Sequence, residues 1–173
     1  MAETQTGVRV ALADEGAANV ATGLPVLDHL VGELARTARL RISLEVAPGS
    51  ADEEVAAAGR AIGSALAEPL RGRAAGSGWA LLPEEEALAA AALELSDRPL
   101  VVSNVDFSHH RVAGLASDVV ARFLNELAAG ARLTVHVRVL EGRDPEHVLA
   151  AIFKALGGAL GQACRPAEGG TTR

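Results

Sequence analysis

Two stretches of this chain spell nearly the same octapeptide. Glu33–Leu40 reads ELARTARL and Glu126–Leu133 reads ELAAGARL, identical at six of eight positions. The match continues in register: Leu40, Ile42, Leu44 and Val46 pair with Leu133, Val135, Val137 and Val139. After one inserted residue it resumes, pairing Glu53 with His147, Ala56 with Ala150, and Gly63–Leu66 (GSAL) with Gly157–Leu160 (GGAL). A repeat of that length restricts the chain to two similar halves packed together. The boundary is expected near 75, with halves 1–75 and 76–173 forming one compact unit.

Local pattern then gives each half its elements. Leu133, Val135, Val137 and Val139 alternate with Thr134, His136 and Arg138, the period of a half-buried strand. Asp144 is placed to cap a helix with Pro145 at its first position, and Val148, Leu149, Ile152, Phe153 and Leu156 form its apolar face. The same reasoning predicts strands at 7–13, 18–22 and 39–47 and helices at 24–37 and 51–68. In the second half it predicts strands at 86–95, whose Ala-rich sequence also allows a helix, and 99–104, a loop at 107–114 and a helix at 117–130 stopped by Gly130. Residues 69–78 read as a linker. Each half is therefore β-β-α-β-α, and the fold class is α+β with layered sheets and helices. Asp52, Glu53 and Glu54 suit a helix N-terminus, where the dipole favours negative charge.

Charge and composition narrow the partners. The formal charge is −6 with no basic stripe, which argues against nucleic acid. Cys164 is alone, and no apolar run reaches membrane-spanning length. A cytoplasmic, soluble protein is expected, without membrane partners. Three Phe, one Trp and no Tyr leave a core of Ala, Val and Leu, which favours homo-oligomerisation as a way to bury more surface.

Five segments in order, TGLPVLDHL (22–30), PEEEALA (83–89), ELSDRPL (94–100), LTVHV (133–137) and GRDPEHVLAAIFKAL (142–156), resemble the imidazoleglycerol-phosphate dehydratase family, the manganese lyases of histidine biosynthesis. The resemblance implies two fused β-β-α-β-α halves and large homo-oligomers built of trimers, with metal sites at subunit interfaces. It implies metal ligands at His29, His136 and His147, an active-site acid at Glu86, and phosphate contacts at Arg98 and Lys154. Arg98 and Lys154 equally suit ion pairs at a subunit interface.

The family's two His-His-x-x-Glu motifs are altered here. The first reads Asp52, Glu53 and Ala56, and the second Glu146, His147 and Ala150. Both ligating Glu positions are Ala, and three His positions are acids, which are harder ligands. The family's Glu-Thr pair falls at Gln5 and Thr6 here, and a Gln cannot take a proton as a general base. His109 and His110 could supply replacement ligands, or form only a solvated loop. Two functions follow. One is a divergent homologue with weak or no lyase activity and a structural or regulatory role, perhaps beside a true dehydratase chain. The other is an active dehydratase with a rebuilt metal site. Manganese is the cofactor if the family site survives, and none is expected otherwise. A phosphate-bearing small molecule is the expected ligand.

Overall fold

The structure is a computed structural model that describes residues 6–105, 111–112 and 115–167. Strands β1 (Gly7–Leu12) and β2 (Ala17–Ala21) lead into helix α1 (Pro25–Ala38). Strand β3 (Leu40–Glu45) and helix α2 (Ala51–Leu66) complete the first half. The second half runs β4 (Ser77–Glu84), β5 (Ala87–Leu95), β6 (Leu100–Ser103), β7 (Arg111–Val112), β8 (Leu115–Ala116), α3 (Ser117–Ala131), β9 (Leu133–Glu141) and α4 (Pro145–Ala163).

The repeat appears directly in the sheets. In the first, β3 lies between β1, antiparallel to it, and β2, parallel to it. In the second, β9 lies between β5, antiparallel, and β6, parallel. The sheet strands β1-β2-β3 thus correspond to β5-β6-β9. The second sheet adds β4 on the outer edge of β5. This strand corrects the sequence reading, which ran the linker through Gly78. GWALLPE shows no apolar–polar alternation, because its helix-facing residues are small or mixed.

Helices of one half pack on helices of the other, α1 on α4 and α2 on α3. The layers are sheet, helices, helices, sheet, and a single apolar cluster runs through them. Phe123 and Phe153 meet at its centre, with ring centroids 5.3 Å apart. Glycine allows the close approach of the helices. A Cβ at Gly63 would overlap the Leu127 carbonyl, and one at Gly157 would overlap Thr37 Oγ1 and the Leu34 carbonyl.

Gly130 also works this way, which corrects its expected role as a helix stop. A Cβ there would stand 2.8 Å from Ser64 N of α2, and α3 runs on to Ala131. The left-handed residue after the helix is Arg132 (φ 59°), and Arg39 (φ 54°) plays the same part after α1. These are the two Arg of the repeated Arg-Leu. The predicted Asp144 cap is present: its carboxylate accepts from Glu146 N at 2.8 Å, and Pro145 opens α4. Among the described residues no helix is long and apolar enough to cross a membrane.

Candidate functional site

The N-terminal turns of α1 and α4 enclose a cleft of ≈ 330 Å³, lined by Pro25, Val26, His29, Leu30, Glu84, Glu146, His147, Leu149 and Ala150. Local sequence explains how each helix reaches it. Gly23 takes φ 81°, and Asp28 accepts from Thr22 N at 3.0 Å and from Thr22 Oγ1 at 2.5 Å. Those bonds fix the first turn of α1 and leave His29 exposed on the next residue, its Nε2 4.0 Å from Glu33 Oε1.

Across the cleft, Glu86 organises α4. It sits in the β4–β5 hairpin turn, beside Glu85 in the left-handed region (φ 48°). One carboxylate oxygen accepts from Asp144 N (2.8 Å) and Arg143 N (3.1 Å), and the other lies 2.6 Å from His147 Nδ1. The Asp144 amide, then His147, then the Arg143 amide hold the Glu86 carboxyl down to about 2. The Glu86 hydrogen bond raises the His147 pKa in turn. Such a carboxylate orients His147, leaving its Nε2 for other contacts. Its low pKa makes proton donation unfavourable near neutral pH.

Lys154, two turns beyond His147 along α4, donates to Pro83 O (2.9 Å) and Glu84 Oε2 (2.8 Å). That bond is the main reason the Glu84 pKa is lowered. Arg98 lies beyond Leu95, at the other end of β5 from Lys154's partners. The length of β5 separates them, about 27 Å at the usual rise per residue. One chain therefore does not bring Arg98 and Lys154 together. His136 is apart as well. It faces outward between inward-facing Val135 and Val137, in a shallow hollow with Trp79, Thr134 and Gln162. The second sheet stands between it and the helix layer that carries His29 and His147. Of the residues singled out from sequence, His29, His147 and Glu86 gather at the cleft and its rim.

The repeat predicts a second cleft where α2 and α3 begin, and there the chemistry differs. Asp52 corresponds to Glu146, and Arg122 to His29. Arg122 Nη1 lies 2.7 Å from Asp52 Oδ2, a half-exposed ion pair that joins α2 and α3 at this end. Glu53, the counterpart of His147, forms a capping box with Ser50, its carboxylate accepting from Ser50 N and Oγ at 2.8 Å. That capping reading was available from sequence; the Arg122 pairing was not, because it follows only from how the halves meet.

The donor set does not fit a pair of manganese ions. Ala56 and Ala150, 3 % and 7 % exposed, offer no ligand atom. Asp52 and Glu53 already have protein partners. Among the described residues no three His, Cys, Asp or Glu side chains converge as a metal site. His109, His110 and Gln5 lie outside the described residues. Glu3-Thr4 also spells the Glu-Thr pair, two residues upstream of Gln5 and Thr6, so the sequence retains a carboxylate for that motif.

A duplicated α+β chain with facing helix layers, and with His29 and His147 at paired helix N-termini, defines a specific class of protein. The sequence profile of imidazoleglycerol-phosphate dehydratase matches residues 22–160. The chain belongs to that family, which is a lyase family of histidine biosynthesis. It is 36 % identical to imidazoleglycerol-phosphate dehydratase of Desulfitobacterium hafniense over 171 residues, covering 94 % of this chain and 86 % of that protein. The Clostridium botulinum enzyme is 32 % identical over 168 residues, covering 93 % and 85 %. The crystal structure of the Staphylococcus aureus dehydratase superposes with a TM-score of 0.85 at 26 % identity, covering 95 % of both chains. The Pyrococcus furiosus enzyme superposes with a TM-score of 0.80 at 27 % identity, covering 95 % of this chain and 92 % of that one.

Proposed function

We propose that this chain is a divergent imidazoleglycerol-phosphate dehydratase homologue with weak or no lyase activity, serving a structural or regulatory role in the cytoplasm. The carrying observation is the paired replacement at Ala56 and Ala150. Both put a methyl group where the family resemblance implies a carboxylate ligand, at matching points of the repeat. The engagement of Asp52 by Arg122 and of Glu53 by Ser50 supports the same reading.

In this role the chain forms a homo-oligomer, a trimer or larger shell, whose interfaces rely on apolar and ionic contacts, or it joins an intact dehydratase chain. A phosphate-bearing molecule is bound only where subunits meet, because Arg98 and Lys154 are far apart within one. Purified protein supplied with manganese should hold little of it tightly and should not dehydrate imidazoleglycerol phosphate. Growth of a dehydratase-deficient histidine auxotroph on this chain would overturn the proposal.

One observation favours the second reading, an active hydro-lyase with a rebuilt metal site. His29, Glu84, Glu146 and His147 share one open cleft. On that reading complementation succeeds and fails in Glu146→Gln and His147→Gln.

A further inference from the structure

Strand β4 combines two features that invite pairing with another chain. Among the described residues it is the last strand on its side of the second sheet. Its sequence from Ser77 to Pro83, SGWALLP, carries no charge, and Trp79 and Leu81 are 68 % and 46 % exposed. An uncharged apolar strand at a sheet edge is a template for edge-to-edge association.

The register shows which backbone groups face that edge. β4 and β5 pair residue for residue, from Ser77 with Glu94 to Glu84 with Ala87. In such an antiparallel pair, successive residues turn their N–H and C=O alternately toward the partner and away from it. Gln162 of α4 fixes the phase. Its Oε1 accepts from Trp79 N at 3.1 Å and its Nε2 donates to Trp79 O at 2.7 Å. Trp79 therefore turns its backbone groups to the edge, and Ser77, Leu81 and Pro83 share its phase.

Two of those four positions are withdrawn from pairing. A Gln amide carries a donor and an acceptor, as a peptide group does, so Gln162 takes the place of one rung of a neighbouring strand. Pro83 has no N–H, and Lys154 Nζ donates to its carbonyl at 2.9 Å. Glu84 holds the same ammonium at 2.8 Å. The remaining positions, Ser77 and Leu81, have blocked Trp79 between them, so no two neighbouring rungs are left for an added strand.

The helix is built to reach both points. Lys154, Gly158 and Gln162 follow one another at intervals of four along α4, which puts them on one face. From Lys154 to Gln162 the helix rises about 12 Å, and from Pro83 to Trp79 the strand covers about 13 Å. Gly158 lies between them, where a Cβ would stand 2.8 Å from the Ala80 Cβ, so it keeps α4 close enough for its neighbours to reach round the edge.

We propose that Gln162 and Lys154, with Pro83, close the outer edge of β4 against strand addition, so that a second copy of this chain cannot extend the sheet there. Copies are thereby directed to meet through other surfaces, and sheet-to-sheet growth is prevented. This holds whether or not the chain is a lyase.

The test uses the full chain and variants at exposed positions. Gln162→Leu keeps a side chain over Gly78 and removes both bonds to Trp79, and Pro83→Thr restores an N–H at the edge. Wild type should keep constant light scattering on incubation and bind no thioflavin T. In the Gln162→Leu/Pro83→Thr double variant the Trp79 amide should exchange about fivefold faster at low concentration, the loss expected for one hydrogen bond. Scattering and thioflavin T binding should then grow with time and concentration. Adding Leu81→Lys places a charge on the strand and should stop the growth while Trp79 exchange stays fast. Constant scattering in the double variant, unchanged Trp79 exchange, or growth that persists with Leu81→Lys would overturn the proposal. So would growth that tracks the unfolded fraction measured by circular dichroism, because unfolding rather than an opened edge would then be its source.

Discussion

Replacing Gly157 with Ala should destabilise the protein, whereas the same change at Gly32 should stabilise it. Both glycines lie inside helices, so each substitution gains about 1 kcal/mol of helix propensity. At Gly32 the new methyl meets nothing within 4 Å, so the gain stands alone. At Gly157 the methyl overlaps Thr37 Oγ1 and the backbone carbonyl of Leu34. No rotamer change relieves contact with backbone, so α1 and α4 must separate. Overpacking of this kind costs about 1–3 kcal/mol, and occasionally more. Separation also weakens the bond from Thr37 Oγ1 to Lys154 O, 2.8 Å long, worth about 1 kcal/mol. The net expectation for Gly157→Ala is a loss of about 1–3 kcal/mol, or roughly 3–10 °C in melting temperature for a chain of this size. Gly32→Ala should gain about 2–4 °C. Urea and thermal unfolding at one fixed protomer concentration measure both, since assembly makes melting depend on concentration. Equal or greater stability in Gly157→Ala would refute the idea that glycine sets the spacing of these helices. The spacing bears on function, because the same two helices carry His29 and His147 to the cleft.

Other outcomes follow from the charged groups and the thiol. Glu86, lowered from 4.5 to about 2, contributes stability above its ordinary pKa that is lost as pH falls through 4.5 toward 2. His147, raised from 6.5, contributes stability that is complete below 6.5 and lost as pH rises through its higher folded value. Urea midpoints across pH should therefore fall on both sides, with Glu86→Gln flattening the acid side and His147→Gln the alkaline side; unchanged profiles would rule out the pair. Ser50→Ala removes the capping box of α2 and should cost about 1 kcal/mol in urea unfolding, while a surface serine such as Ser43 should cost little. The buried Cys164 thiol, pushed up to about 11 mainly by desolvation, should resist thiol reagents until the protein unfolds. Fast labelling of native protein would contradict its burial.

The repeated octapeptide carried most of the fold, because its Leu positions define the core face of a strand and its Arg falls at a helix end in both halves. Alternation located β3 and β9, and Asp144-Pro145 located α4. Residues 77–84 were not legible as a strand. Gly78 and Ala80 are small because α4 lies against them, a tertiary requirement that leaves no periodic trace. Gly130 looked like a helix stop for a related reason: a glycine tolerated for close packing reads the same as one required for a turn. At the site, His29 and His147 were recognisable from motif position. That Glu86 would grip His147, and that Arg122 would take the place of His29 in the other half, depended on contacts between elements far apart in the chain.

The crossed pairing of helices, α1 with α4 and α2 with α3, has an evolutionary reading. Each half leaves its glycine-lined helical face bare until the other half covers it. A half-length ancestor could have covered that face only with a second copy of itself, first helix against second helix in both directions. Fusion of two such genes would have kept the contact while freeing the two ends to diverge. Divergence is what the present ends display, one an open cleft with His29 and His147, the other bridged by the ion pair of Asp52 and Arg122.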